Sequence, residues 1–383
     1  MNCNAVEAYK ATWYLQKTLH HSILESLPVL ILDDPEALRA FDTYGLFSRL
    51  ERAADYVQSA WAARDALPLP ENARFVDKIV IAGLSDAAAA AELFAALTAE
   101  TLNLPITVCR AYDLPAYADG QATLVILLDH SGDTEETFSA FELADARGTQ
   151  ILALTSGGAL AEYAEQSGVT LWRYALEGVS RLAFYTHVTL LLALVERLGL
   201  VRDPSADVQE AVDELRKSAQ TLGVATEPTR NPAKRLAAQM IGRLPLIYGG
   251  GFMAAVARRW QLSLLQNAKT LALCDELPNL DYNLLQGLTN LPEPVRIASV
   301  SLESPQYDHP RLALRQALTR RALMEAGFVP DSVLGSGEGA LAQALTAALY
   351  GDYVSGYLAA LYGSDPTPTP AVARLIDQLR SAR

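Results

Sequence analysis

One repeated unit constrains this chain more than any other feature: an apolar run rich in β-formers, a turn of glycine or small residues, then an Ala-rich stretch with helical spacing. Its first copy is KIVIAGLSDAAAAAELFAAL, residues 78–97, and a later one starts at RLPLIYGGG, residues 243–251, and runs into FMAAVARRWQLSLLQNAK. Between them TLVILLD (123–129) turns through HSGDT (130–134) into EETFSAFELADARG (135–148), and QILALTS (150–156) follows. Strands alternating with helices of about ten to fifteen residues make βαβ units, and such units build a mostly parallel sheet covered on both faces. The predicted fold class is therefore α/β, with two doubly wound units.

A chain of 383 residues has room for two such units, each burying its own core. The polar, partly helical stretch 203–240, broken by Pro228 and Pro232, separates them. The predicted organisation is an extension over 1–30, a first unit over 31–200, a helical linker over 201–235, a second unit over 236–365 and a C-terminal helix over 366–383. A Pro-Thr turn starts that last helix, with Ile376 and Leu379 expected to face inward.

Charge and cysteine usage exclude several functions. The formal charge is −13 and no basic run exceeds a pair such as Arg258-Arg259, so a nucleic-acid partner is not expected. The longest apolar stretch, VTLLLALV (188–195), falls far short of the roughly 20 residues that cross a bilayer. It reads as a buried helix, and no membrane partner or export signal is expected. Cys3, Cys109 and Cys274 are few, far apart and without metal spacing, which suits a reducing cytoplasm.

HSGDTEET (130–137) follows a strand and opens a helix. Backbone N–H groups at a helix N-terminus, aided by Ser and Thr hydroxyls, form an anion site because dipole and unpaired donors point the same way. Phosphate is the expected guest; the alternative is that Ser131 and Thr134 merely cap the helix.

The strand, the SGDTEET turn and the paired second half resemble the sugar isomerase (SIS) domain, and specifically the bifunctional phosphoglucose/phosphomannose isomerase family. LDDPEALRAFD, RAYDLP, GRLPLIYGGG with ARRW, QNAK, ELPNLDYN, GDYVSGYLA and DPTP extend the likeness from about residue 30 to near the end. The resemblance implies a cytoplasmic homodimer of two-SIS-domain chains. Sugar phosphates would bind between the domains and interconvert as aldose and ketose, with neither metal nor organic cofactor.

Moving a carbonyl from C1 to C2 needs a base for the C2 proton, a group to open the ring and an anchor for the phosphate. At the positions where the family supplies Glu, His and Lys, this chain has Gln266, Tyr282 and Arg380. An amide accepts no proton near neutral pH, and a phenol with an ordinary pKa of about 10 is a poor proton shuttle there. Ser131, Gly132 and Thr134 keep the family's phosphate-loop residues, whereas Asp129 and Ala87 stand at family serines, Asp86 at a glycine and Asp133 at an asparagine. Three carboxylates beside a phosphate would each repel it by roughly 4 kcal/mol at about 4 Å and an effective dielectric near 20.

Two outcomes stay open: loss of the reaction with retention of sugar or sugar-phosphate binding, or isomerisation with another base, Glu276 or Glu136 being nearest in sequence. Arg181 is expected either to line the substrate cleft or to form an ion pair. His130 could face the cleft, His187 belongs to an apolar helix face, and His309 starts a helix. The glycines after Tyr248 permit close backbone approach, either to a ligand or the partner domain or simply for packing, and Asp352 and Tyr353 read as structural. Convergence of Asp86, Asp129 and Asp133 on a cation is a further, speculative reading.

Overall fold

The computed structural model describes residues 28–176, 178, 180–290 and 295–382; the expected extension over 1–30, with Cys3, lies almost wholly outside them. Among these residues the strands form two sheets, and every strand pair is parallel. The first contains β1 (Lys78–Ala82), β2 (Ile106–Cys109), β3 (Thr123–Leu128), β4 (Gln150–Thr155) and β5 (Thr170–Arg173), in the order β2-β1-β3-β4-β5. The second contains β6 (Leu244–Gly250), β7 (Leu273–Leu277), β8 (Ile297–Glu303) and β9 (Val329–Leu334), in the order β7-β6-β8-β9. The two share one winding over their first four strands. Register is in phase along β1 and β3, Val80 facing Val125 and Ala82 facing Leu127, and β3 is buried along its whole length. A strand covered on both faces is apolar at every position, which is why TLVILL shows no alternation.

The stretch predicted to link the halves is not a spacer. Within the Ser205–Leu222 helix, Val208, Ala211, Val212 and Leu215 recur at helical spacing and are buried. This helix packs on Ala53–Ala63 and on Ala340–Leu361, and the Pro232–Met240 helix also packs on the latter. Ala340–Leu361 is apolar on nearly every side and buried almost throughout, as a helix at the centre of a core must be. The VTLLLALV stretch lies in Ala183–Arg197, buried from Ala183 to Val195, and among the described residues no helix is long and apolar enough to cross a membrane.

The contact that positions the candidate site joins the two sheets. The Ser85–Thr98 helix, which follows β1, packs on the Phe252–Gln266 helix, which follows β6. The first turn of one meets the last turn of the other, for Gln266 Nε2 donates to Ser85 Oγ at 2.9 Å. One structural expectation fails at the C-terminus. The Pro370–Ser381 helix buries none of its residues, and Ile376 and Leu379 are 42% and 44% exposed. Its apolar stripe is the period-3.6 pattern that the sequence displays, yet no core among the described residues covers it.

Candidate functional site

In a doubly wound sheet the crevice for a ligand opens where the strand order reverses, beyond the carboxyl ends of the two strands concerned. Here that point lies between β1 and β3, and the turns leaving both strands are in contact. A Cβ added to Gly83 would stand 2.7 Å from the Leu128 carbonyl oxygen. The corresponding point of the second sheet is filled: a Cβ at Gly250 would fall 2.3 Å from the Leu312 side chain. The glycine-rich turn after Tyr248 therefore serves close packing, and the candidate site belongs to the first sheet.

The loop after β3 is closed on itself. Asp129 is buried; its Oδ1 accepts from the Ser131 backbone N–H at 3.1 Å and from Ser131 Oγ at 3.0 Å, and its Oδ2 accepts from the Thr134 N–H at 2.9 Å. These are donors that an incoming anion would need. Thr134 occupies the N-cap position of Glu135–Ala146, where its side chain makes no capping bond and its own N–H is held by Asp129. Gly132 has φ +72°, and a Cβ there would lie 2.0 Å from the Gly157 carbonyl oxygen, which leaves glycine alone fitting the position. Asp133 is exposed and accepts from the Ala159 N–H at 3.1 Å, tying the loop to the turn after β4.

The turn after β1 carries a second buried carboxylate. Asp86 Oδ1 pairs with Arg259 Nη1, and Asp86 Oδ2 accepts from Gln266 Nε2 at 3.1 Å. Arg259 and Gln266 lie seven residues apart on one helix, two turns along the same face, so both side chains reach one acceptor. Arg259 Nη2 also meets Asp352 Oδ1 at 2.9 Å, and Asp352 accepts from Ser263 Oγ at 2.6 Å and Tyr185 OH at 2.8 Å. Burial alone would lower the Arg259 pKa; Asp352 and Asp86 together outweigh it and hold the guanidinium firmly charged. Both Asp86 oxygens are thus engaged within the protein rather than presented to a ligand.

Arg181 fastens this junction to the chain's C-terminal part. Its guanidinium donates to Asn267 Oδ1, to the Pro366 carbonyl at 3.0 Å and to the Thr367 carbonyl at 2.9 Å, while its own carbonyl accepts from Arg259. Lys269, exposed and with φ +52°, donates to the Asp365 and Pro366 carbonyls at 2.7 and 2.8 Å. Burial of its ammonium head and then the Arg181 charge bring its pKa down to about 8. Beside the loop, His130 Nδ1 and His187 Nε2 both meet the Tyr174 hydroxyl, at 3.0 and 2.6 Å. Burial lowers the His130 pKa and, with His130 adding to it, drives that of His187 down to about 3. Both imidazoles are neutral at pH 7.

Comparison with known proteins decides the family. A model of the bacterial phospho-glucose isomerase C-terminal SIS domain matches residues 229–379. A bifunctional phosphoglucose/phosphomannose isomerase of Caldicellulosiruptor bescii is 31% identical over 336 residues, 87% of this chain and 98% of that protein. The chain belongs to the bifunctional phosphoglucose/phosphomannose isomerase family. The Aquifex aeolicus member is 31% identical over 280 residues, 73% of this chain and 83% of its own length. A crystal structure of a glucose-6-phosphate isomerase-like protein from Thermus thermophilus shares the fold, with TM-score 0.59 and 22% identity over 90% of this chain and 98% of that one.

The positions expected to carry this family's chemistry are not gathered at one place in the chain. Gln266 and Ala87 lie at the junction of the two helices, with Ser131, Gly132 and Thr134 on the neighbouring turn. Tyr282 is 71% exposed on the Leu280–Gly287 helix, where its hydroxyl meets Arg315 Nη2 at 3.1 Å rather than any residue of that junction. Arg380 is exposed in the last turn of the terminal helix. Glu276 is exposed on β7 and Glu136 lies in the first turn of Glu135–Ala146. His309 accepts from the Arg311 N–H at 3.1 Å and starts its helix as expected. Among the described residues no three His, Cys, Asp or Glu side chains come together as a cation site needs, which sets aside the convergence of Asp86, Asp129 and Asp133.

Sequence reasoning missed Arg259, Ser85, Asn267 and Lys269. The available signal was a charged residue on the apolar face of an otherwise buried helix, two turns before Gln266; such a residue demands a buried partner.

Proposed function

We propose that this chain is a sugar-phosphate-binding member of its family that has lost the aldose–ketose proton transfer. The observation that carries this reading is the bonding of Gln266. At the position expected to hold the base stands an amide whose nitrogen is turned toward Asp86. A carboxylate base would have to hold the C2 proton after abstraction; a carboxamide offers no such acceptor at neutral pH. The one carboxylate bonded to Gln266 has both oxygens occupied, by Arg259 and by Gln266 itself. Binding is also tuned down, because Asp129 holds donors of the loop and a ligand phosphate must displace it or share them.

A coupled assay with glucose 6-phosphate and with mannose 6-phosphate tests the reading, alongside ligand-dependent melting. The expected result is no turnover, a small rise in Tm with either phosphate, a larger rise in Asp129→Asn and none in Ser131→Ala/Thr134→Ala. Turnover at rates typical of enzymes defeats it. If that turnover vanished in Glu276→Gln or Glu136→Gln, that carboxylate would be the substitute base. A homodimer, a cytoplasmic location and independence of metal or organic cofactor belong to the same proposal through the family. Light scattering on the purified chain checks the first of these.

A further inference from the structure

Gln266 and Ser85 have hydrogen-bonding capacity that the described part of the protein does not use. An ionised Asp86 can only accept, so its 3.1 Å bond to Gln266 fixes which end of the amide is the nitrogen. Nε2 carries two hydrogens and both are placed, one on Asp86 Oδ2 and one on Ser85 Oγ at 2.9 Å. The amide oxygen is the end left over, and among the described residues no donor reaches it. Ser85 Oγ accepts from the amide and keeps its own hydrogen, which no acceptor among the described residues meets. An uncharged donor and an uncharged acceptor thus stand side by side just beyond the carboxyl end of β1, on the lip of the crevice. Ser85 is exposed there and Gln266 half-buried.

The backbone at this place is strained. Among the described residues two that are not glycine have φ in the left-handed region, Ser85 at +50° and Lys269 at +52°. The first is bonded to Gln266 and the second follows it by three positions. Glycine would adopt either φ freely. What serine supplies at position 85 and glycine lacks is the hydroxyl, and strain held in place by surrounding contacts gathers where ligands are gripped. The group that fits this pair donates and accepts at one atom, as a sugar hydroxyl does. A carboxylate would bring no proton to the amide oxygen, an ammonium would leave the serine hydrogen unmet, and a C–H would leave both unmet.

We propose that Ser85 and Gln266 clamp one ring hydroxyl of the bound sugar phosphate, Ser85 Oγ donating to it and Gln266 Oε1 accepting from it. This assignment rests on the reading of the junction as a sugar-phosphate site. Titration calorimetry of the full chain with glucose 6-phosphate and its monodeoxy analogues at carbons 1 to 4 tests it. One analogue is expected to bind about tenfold more weakly than the parent, because a C–H in place of the hydroxyl leaves both partners unpaired. In Ser85→Gly that gap should close, while the melting temperature without ligand stays level or rises, since glycine relieves the φ of +50°. A purely structural role for Ser85 gives the opposite pair of results, a lower melting temperature and an unchanged gap. Either that pair, or equal affinity for the parent and every analogue, would overturn the clamp while leaving the sugar-phosphate reading intact. Absence of saturable glucose 6-phosphate binding at millimolar ligand defeats that reading itself, and the clamp with it.

Discussion

Replacing Gln266 by Glu restores the carboxylate that the family uses, and the structure argues that this single change harms the protein. Gln266 Nε2 donates to Asp86 Oδ2 at 3.1 Å, and Asp86 already shares Arg259 with Asp352. Two carboxylates around one guanidinium carry a net charge of −1, and the amide offsets part of it by donating. In Gln266→Glu that donor disappears and the cluster reaches −2. Like charges about 4 Å apart repel by roughly 4 kcal/mol at an effective dielectric near 20; because Gln266 is half-buried, water screens this to about 2 kcal/mol. The pair then retains a proton well above the ordinary carboxylate range of about 4. A carboxyl whose pKa is raised on folding costs stability as pH rises above its unfolded value, so Gln266→Glu should match the wild type near pH 4.5 and fall behind it by about 2 kcal/mol at pH 8. Moving the charge rather than adding it, in Asp86→Asn/Gln266→Glu, returns the cluster to −1 and should recover most of that loss, a coupling of about 2 kcal/mol in the double-mutant cycle. Urea unfolding at both pH values gives the stabilities, and the coupled isomerase assay shows whether the exchanged carboxylate brings activity. Equal stability of Gln266→Glu and wild type at pH 8, or a double variant no better than the single, would refute the charge argument.

Three further outcomes follow from the geometry. Gly132→Ala should destabilise by about 2 kcal/mol or more, since it combines positive φ with a clash against the Gly157 carbonyl, and circular dichroism melting measures the loss. His187 has its pKa lowered to about 3, so the unfolded chain takes up its proton first as pH falls below about 6.5; the group removes about 1.4 kcal/mol per pH unit through that window. In His187→Phe the dependence of unfolding free energy on pH between 6 and 4 should accordingly be shallower by about one proton. Lys269, exposed with a pKa of about 8, is half neutral at pH 8 and should be acetylated ahead of the other described lysines, as peptide mass mapping after brief treatment would reveal.

Much of the fold was legible because its signals are local. The apolar run of β1, the turn after it and the Ala-rich helix occupy one continuous stretch, and the same plan reappears at β6. The SGDT turn was equally legible as a strand-to-helix loop. The sequence did not reveal that Asp129 satisfies its own loop, which depends on the turn's curvature rather than on residue type. Nor did it predict the fate of the linker: Ser205–Leu222 is polar in composition, yet its six spaced, buried apolar residues suffice to pack on two helices.

The amino-acid order by itself determined the α/β class, its doubly wound type and the family, since periodicity, turn chemistry and motif strings are read within a few residues of one another. Only the tertiary structure decided what the substitutions mean. Asp86 and Arg259 stand 173 positions apart, and whether the aspartate repels a ligand or neutralises an arginine depends on helices brought together from different halves. Charge acts through distance in space, and distance along the chain carries almost no information about it once the helices have packed.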